Sequence, residues 1–571
     1  MINDTPRKLD IVLASIAKAT LMPYYNGKYR RFQALLPNAR QLETDRLLQL
    51  IEATRNSDFG KAHRFEKISS VEIFQDQVPI AEYSDLAPYL DAVANGHVGA
   101  LFDPAEHVLA FACTAGSTGK PKVLPVTRKW LSEYQYLWQI WGFKAVLDHP
   151  GIMTAKWLQI SGPADVQRTP SGHVVGMASA ITARYQNPLF QKFYAVPYQI
   201  GDIIDSRSRN YAMLRLAVPQ RVGFMLTITA ANLIRFAELG NELKETLIKD
   251  LFDGTLTEVG ESLQRPEAWI TSAAQQRHPK RARELERIVE RTGSLLPKDY
   301  WPLKLLACWT GGTVGYQARS LSAYYGDTPV RDIGYISTEG RHTIPAEDFS
   351  TAGVLVPNGA FYEFESPDGK AVHRASNLES GATYSILMTN GQGLYRYRIG
   401  DLVRCVGYKG QSPIIEFLRK SDQFSDMEGE KVSGDQVAAA MSASCDRLGL
   451  TGLAFSAVPM RPDKGAPFYA FVIEQKDAAQ QAVELRLAEL LDADLSNQNI
   501  MYAQKCADGS LAPVQLWIAA PGSFTAFAHA QGAERGTGDT QHKQPALLDA
   551  RLANQLKIER TVERKVMARS A

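Results

Sequence analysis

The stretch Cys113–Thr127, CTAGSTGKPKVLPVT, collects the residue types that grip phosphate. Gly116 and Gly119 allow the backbone to approach oxygen atoms closely and to take positive φ. Thr114, Ser117 and Thr118 supply hydroxyls, and Lys120 and Lys122 supply positive charge. A P-loop is excluded. That motif needs a glycine five residues before its Gly-Lys pair and a hydroxyl after the lysine; here those positions are Thr114 and Pro121. Taken alone, the segment reads either as a nucleotide-binding loop or as a surface turn between two strands.

Two later segments carry acids in suggestive company. GYISTEG sets Thr338 beside Glu339 at a strand end. A hydroxyl and a carboxylate there can position a phosphate and its Mg²⁺, because Mg²⁺ takes one or two carboxylates plus substrate oxygens. A solvated helix cap would read the same way. YRYRIGDLV places Asp401 after Gly400, at a turn leaving an alternating strand. The five cysteines (Cys113, Cys308, Cys405, Cys445, Cys506) are scattered, with no C-x-x-C pair and no histidine at metal-ligand spacing. They read as reduced thiols of a cytoplasmic protein.

The elements that must position these residues follow from the rest of the chain. Its 571 residues carry a formal net charge of +2, which favours neither nucleic acid nor a membrane surface. No secretory leader and no run of about twenty apolar residues is read. NARQLETDRLLQLIEATRNSDFG reads as a helix, with Asn38 and Gln41 as a capping box and Gly60 as its stop. VEIFQDQVPI reads as a loop-rich lead into a helix over AEYSDLAPYLDAVANG. HVLAFACTAGSTGKPKVLPVT reads as strand, loop, strand. Residues 128–300 alternate apolar runs with helical patterns, and RHPKRARELERIVER reads as a solvated helix face, an anion site being the lesser alternative. From about 301 to 418 short strands dominate. Beyond the polar segment 419–429 comes a compact α+β unit, with Asp477 and Gln480 capping its second helix.

Together these segments resemble the GH3 family of acyl acid–amido synthetases, a branch of the adenylate-forming enzymes. KVLPVT, CWTGGTVGYQARSLSAYYGDTPVRDIGYISTEG, FYEFES, LYRYRIGD, MEGEKVSGDQV and GTGDTQHKQPALL are similar to the family's motifs and occur in the family's order. One departure is Ala546, where the family usually has arginine. The resemblance implies an α/β fold: a large N-terminal domain with mixed sheets or a barrel flanked by helices (1–418), a hinge (419–429) and a small mobile α+β C-terminal domain (430–571). It implies an ATP-dependent ligase that adenylates a carboxylic acid and passes the acyl group to an amine, an amino acid by expectation; the alternative acceptor is the thiol of coenzyme A or a carrier protein.

It also implies roles. Thr114, Ser117, Thr118, Lys120 and Lys122 would line the phosphate loop. Tyr335 would pack on adenine, Thr338 would lie near the α-phosphate, Glu339 would support Mg²⁺ and Asp401 would hold the ribose. Arg419 would sit at the hinge, and Lys431 and Lys543 would act from the C-terminal domain. Trp309, Met225, Tyr335 and GHVVGMASA are candidate walls of the acyl pocket. Partners are then small molecules, with no nucleic acid and no membrane, and a monomer is compatible with this reading.

Overall fold

A computed structural model describes residues 8–113, 122–203, 205–259, 268–421, 424–450, 452–474, 481–535 and 544–562. Thr114, Ser117, Thr118, Lys120, Lys543 and the expected caps Asp477 and Gln480 lie outside the described residues. The chain forms two compact units. The first holds the described residues up to Thr310 and Leu321–Phe417; the second holds Gly311–Ser320 and the described chain from Leu418 to Glu534 and after Gln544.

Three larger sheets build the first unit. Strands Lys156–Gln159, Val222–Thr229, Leu305–Trp309 and Val330–Asp332 form a parallel sheet. Parallel neighbours need crossovers, which run through helices such as Ser206–Ala217, Ala230–Glu242 and Pro279–Thr292. In a second sheet Val108–Cys113 pairs antiparallel with Val123–Thr127 and parallel with Val174–Met177. The third sheet has seven strands, in the order Thr343–Ile344, Ala352–Leu355, Ser412–Lys420, Tyr397–Lys409, Thr383–Thr389, Phe361–Glu365, Val372–Arg374. Its buried residues Phe361, Ile386, Met388 and Tyr397 share one core with Leu47, Ile51 and Phe59 from the N-terminal helices and with Leu86 and Leu90 of helix Tyr83–Ala94. Burying such side chains stabilises by about 1.5–3 kcal/mol each, so this core fixes the strand that carries Asp401.

The second unit is a four-stranded sheet of Phe455–Met460, Phe468–Glu474, Gln515–Ala519 and Ile558–Val562. Its central pair is parallel and its outer pairs are antiparallel. Helices Gly434–Leu448 and Gln481–Gln498 contribute Val437, Met441, Leu487 and Leu491 to a core with Phe471 and Ile473.

Four local expectations differ from this structure. Asn38 makes no side-chain cap, because the chain is already helical from Lys8 to Leu35 and continues through a short turn of 3-10 helix into Ala39–Thr54. Gly60 lies in a separate helix, Asp58–Ala62, capped by Ser57. Glycine is required there by crowding: a Cβ would stand 2.4 Å from the carbonyl oxygen of Thr54. Val71–Gln77 is helical rather than loop, its first turn capped by Ser70. The resemblance of CWTGGTVGYQARSLSAYYGDTPVRDIGYISTEG to the family's motif implies a long helix after its first strand; the chain there forms a 3-10 helix, Gly312–Ser320, and a short α-helix, Leu321–Tyr325.

Candidate functional site

Thr338 and Glu339 form the two-residue loop of a small hairpin, in which Ser337 faces Gly340 and Ile336 faces Arg341. The hairpin is tied down from several sides. The Glu339 amide donates to Ser337 Oγ at 3.1 Å, and Ser337 in turn meets His342 Nε2 at 2.9 Å. Asn390 Nδ2 donates to the Glu339 carbonyl at 2.8 Å, and Gln392 Nε2 to the Thr338 carbonyl at 3.3 Å. Glu339 is only 4% exposed, which excludes the solvated helix cap.

Asp401 does not sit at a turn leaving a strand. It lies within the continuous strand Tyr397–Lys409. The register with the neighbouring strand jumps there: Leu387 faces Arg398, whereas Ser385 faces Leu402. A single residue, Ile386, therefore stands opposite three, Ile399–Asp401, so two surplus residues bulge there. Gly400 takes φ +78°, which an L-residue adopts at a cost. Such bulges re-aim side chains, and Asp401 is buried.

Tyr335 joins the two acids. Its hydroxyl donates to Asp401 Oδ2 at 2.6 Å. Burial, then the charge and hydrogen bond of Asp401, then the charge of Glu339 raise this phenol well above its ordinary range, so it remains a donor. The ring packs against His342 (4.5 Å between centroids) and stacks on Phe417 (5.6 Å). The residue is 4% exposed, and both of these ring neighbours are protein.

Lys122 reaches the same cluster from the end of the phosphate-loop segment. Its Nζ donates to Tyr397 Oη at 2.7 Å and lies over the Tyr83 and Tyr397 rings. Tyr397 is raised by burial and by the charges of Glu339 and Asp401; burial and Glu339 also raise Tyr83, against a hydrogen bond with Val123. Lys122, Tyr335, Glu339 and Asp401 thus share one electrostatic neighbourhood. Tyr83, Asn390, Gln392 and Tyr397 belong to it too. Tyr397 could have been found from its place in YRYRIGD, but nothing in the letters marks Asn390 or Gln392. The arginines of that motif are structural: Arg396 pairs with Glu363, and Arg398 with Glu365 and Glu82.

The remaining residues belong to the second unit. Arg419 Nε meets Asp435 at 2.6 Å. Lys431 is exposed and holds φ +48°, a left-handed backbone rare outside glycine. Beside it Glu430 is buried and accepts from the amides of Met427 and Glu428 and from the Tyr469 hydroxyl. Burial pushes the Glu430 carboxyl up, but these donors outweigh it and hold the group below its ordinary value. Asn499 completes the brace, donating to the Glu430 carbonyl at 2.9 Å.

A family model described as the GH3 family N-terminal domain matches residues 28–330, the central domain matches 353–420 and the C-terminal domain matches 435–552. The chain belongs to the GH3 family. Among its relatives is "4-substituted benzoates-glutamate ligase GH3.12" of Arabidopsis thaliana, 22% identical over 92% of this chain and 96% of that protein. Another is "Putative indole-3-acetic acid-amido synthetase GH3.10" of Oryza sativa subsp. japonica, 26% identical over 66% of this chain and 77% of that one. The solved structure "GH3.15 acyl acid amido synthetase" superposes with a TM-score of 0.82 at 18% identity, covering 93% of this chain and 96% of that chain, which establishes the shared fold. All five cysteines are free thiols. Among the described residues, no helix is long and apolar enough to cross a membrane.

Proposed function

We propose that this chain is an ATP-dependent acyl acid–amido synthetase. A carboxylate is a poor electrophile because its leaving group would be oxide. Attack of its oxygen on the α-phosphorus of ATP releases pyrophosphate and leaves an acyl adenylate. An amine, an amino acid in this reading, then attacks the acyl carbon and releases AMP.

The observation that carries the proposal is the convergence of Lys122, Tyr335, Glu339 and Asp401 from segments far apart in sequence. Lys122, steered by Tyr397, balances phosphate charge. Thr338 stands in the hairpin loop for the α-phosphate, and Asp401, oriented by Tyr335, accepts from the ribose hydroxyls. The donor set also fits Mg²⁺: one buried carboxylate on a short rigid loop leaves the other positions for phosphate oxygens and water. Glu339 would hold it, and bound Mg²⁺ would neutralise charge on the triphosphate. Thr114, Ser117, Thr118 and Lys120 complete the phosphate loop in this reading. Lys431 and Lys543 serve from the C-terminal domain beyond a hinge at 419–429, with Arg419 at its start.

The test is a pyrophosphate-release screen of purified protein with ATP, Mg²⁺, a panel of carboxylic acids and the twenty amino acids, followed by mass spectrometry. An amide product that depends on both substrates is expected. A thioester with coenzyme A and no amide would overturn the proposed acceptor.

A further inference from the structure

The loop Thr338–Glu339 rests on a buried imidazole. Ser337 and Gly340 close that loop as facing residues of the hairpin, and His342 lies against both. Its Nε2 meets Ser337 Oγ at 2.9 Å, and a Cβ on Gly340 would stand 3.4 Å from its Cε1. Ser337 Oγ also accepts from the Glu339 amide at 3.1 Å. Asn390 and Gln392 hold the carbonyls of the loop. His342 therefore bears on the amide side of Glu339, through one hydroxyl.

The ring is itself held. Its Nδ1 meets Tyr362 Oη at 3.1 Å, and Tyr362 lies buried in strand Phe361–Glu365 of the seven-stranded sheet. Burial and then the charge of Glu43 raise the Tyr362 phenol, against the pull of Arg46, so it keeps its hydrogen for this contact. The backbone is fixed as well. The His342 amide donates to the Tyr335 carbonyl at 2.9 Å, and the Val356 amide donates to the His342 carbonyl at 2.9 Å. Tyr335 packs against the ring at 4.5 Å between centroids. With both ring nitrogens engaged, turning the imidazole breaks two hydrogen bonds at once, so its plane and its tautomer are set together. A ring needed for packing alone would be better as phenylalanine, which buries no polar group. Here two polar contacts in line join the core sheet to the loop that carries Glu339.

We infer that His342 is a positioning residue for adenylation: it passes the rigidity of the seven-stranded sheet, from Tyr362 through Ser337, to the loop that aims Thr338 and Glu339. The inference rests on the synthetase reading above. A carboxylate that holds Mg²⁺ gains from outer partners that fix its orientation, and a fixed loop needs no rearrangement as charge develops on the phosphate.

The test uses the full-length protein and three variants. His342→Phe keeps a ring between Tyr335 and Tyr362 and removes both hydrogen bonds. Tyr362→Phe removes one hydroxyl. His342→Gln returns an amide nitrogen near the place of Nε2. The first readout needs no substrate: hydrogen–deuterium exchange of the Glu339 amide at fixed pH, with the buried strand Thr383–Thr389 as reference. His342→Phe should speed exchange of that amide by about tenfold, and Tyr362→Phe by about threefold, with the reference strand unchanged. The second readout is pyrophosphate exchange. His342→Phe should lower turnover by about tenfold or more and raise the Mg²⁺ concentration for half-maximal rate, with the KM for the acid unchanged. His342→Gln should recover most of both losses. An unchanged Glu339 amide in His342→Phe and Tyr362→Phe overturns the inference, and so does a faster amide with full turnover. Absence of pyrophosphate exchange in the wild type with every acid would instead strike the synthetase reading; the amide measurement still decides whether His342 holds the loop.

Discussion

The two units treat their candidate site residues in opposite ways. In the first, Glu339 and Asp401 are buried, and hairpin, bulge and tyrosine hydroxyl all converge to orient them. In the second, Lys431 stands exposed on a turn, and the effort of the fold goes into the turn itself: Glu430, Tyr469 and Asn499 hold a strained backbone in place. A site meant to hold a substrate needs its groups pre-aimed and shielded, since preorganised dipoles need no rearrangement when charge develops. A residue meant to be presented needs only a stiff support.

The sharpest way to break this comparison is at the buried end. Glu339→Ala should lower pyrophosphate exchange by roughly 10²–10³-fold, the range for loss of one preorganised electrostatic group, while the denaturation midpoint changes little. Unchanged exchange would remove Glu339 from the site. On the other side, Glu430→Gln should destabilise the second unit by about 1.5–3 kcal/mol, the usual worth of hydrogen bonds to a charged group, measured by urea denaturation. Because the folded carboxyl sits below its ordinary value, its stabilisation is present above the unfolded pKa and fades as pH falls.

Glu43 tests whether every buried acid of the first unit is functional. Burial pushes its carboxyl up to about 8, against the pull of Arg374. The folded state therefore holds its proton where the unfolded chain has released it, so stability should fall as pH rises from about 4.5 to 8. Glu43→Gln should remove that slope and stabilise the protein by about 1–2 kcal/mol at pH 8, with exchange activity intact. The smallest effect belongs to Lys431→Gly. Relief of the left-handed strain should stabilise by about 0.5–1 kcal/mol, while amide formation falls. Gain of stability with full activity would make Lys431 a structural residue only.

Much of this was legible beforehand. The strands of the segment read as strand, loop, strand run Val108–Cys113 and Val123–Thr127. The α+β texture of the C-terminal region is present as read, with helices Gly434–Leu448 and Gln481–Gln498. Helix starts were read less well. A capping pattern such as Asn38…Gln41 is local, whereas the helix there continues because Phe32, Leu36 and Ala39 are buried. The hydrogen bond from Tyr335 to Asp401 was not legible, because the two residues lie 66 positions apart and meet only in the folded chain.

By itself the sequence determined which chemical groups are available and on what kinds of elements they ride: a hydroxyl and a carboxylate at a strand end, an aspartate after glycine, a lysine at the edge of a strand. Those are properties of residue type and short-range period, which the chain states directly. Only the tertiary structure decided that Lys122, Tyr335, Glu339 and Asp401 act on one another and that a bulge turns Asp401 inward. Each depends on contacts between residues far apart in the chain, and those contacts are chosen by sheet register and core packing rather than by neighbouring letters.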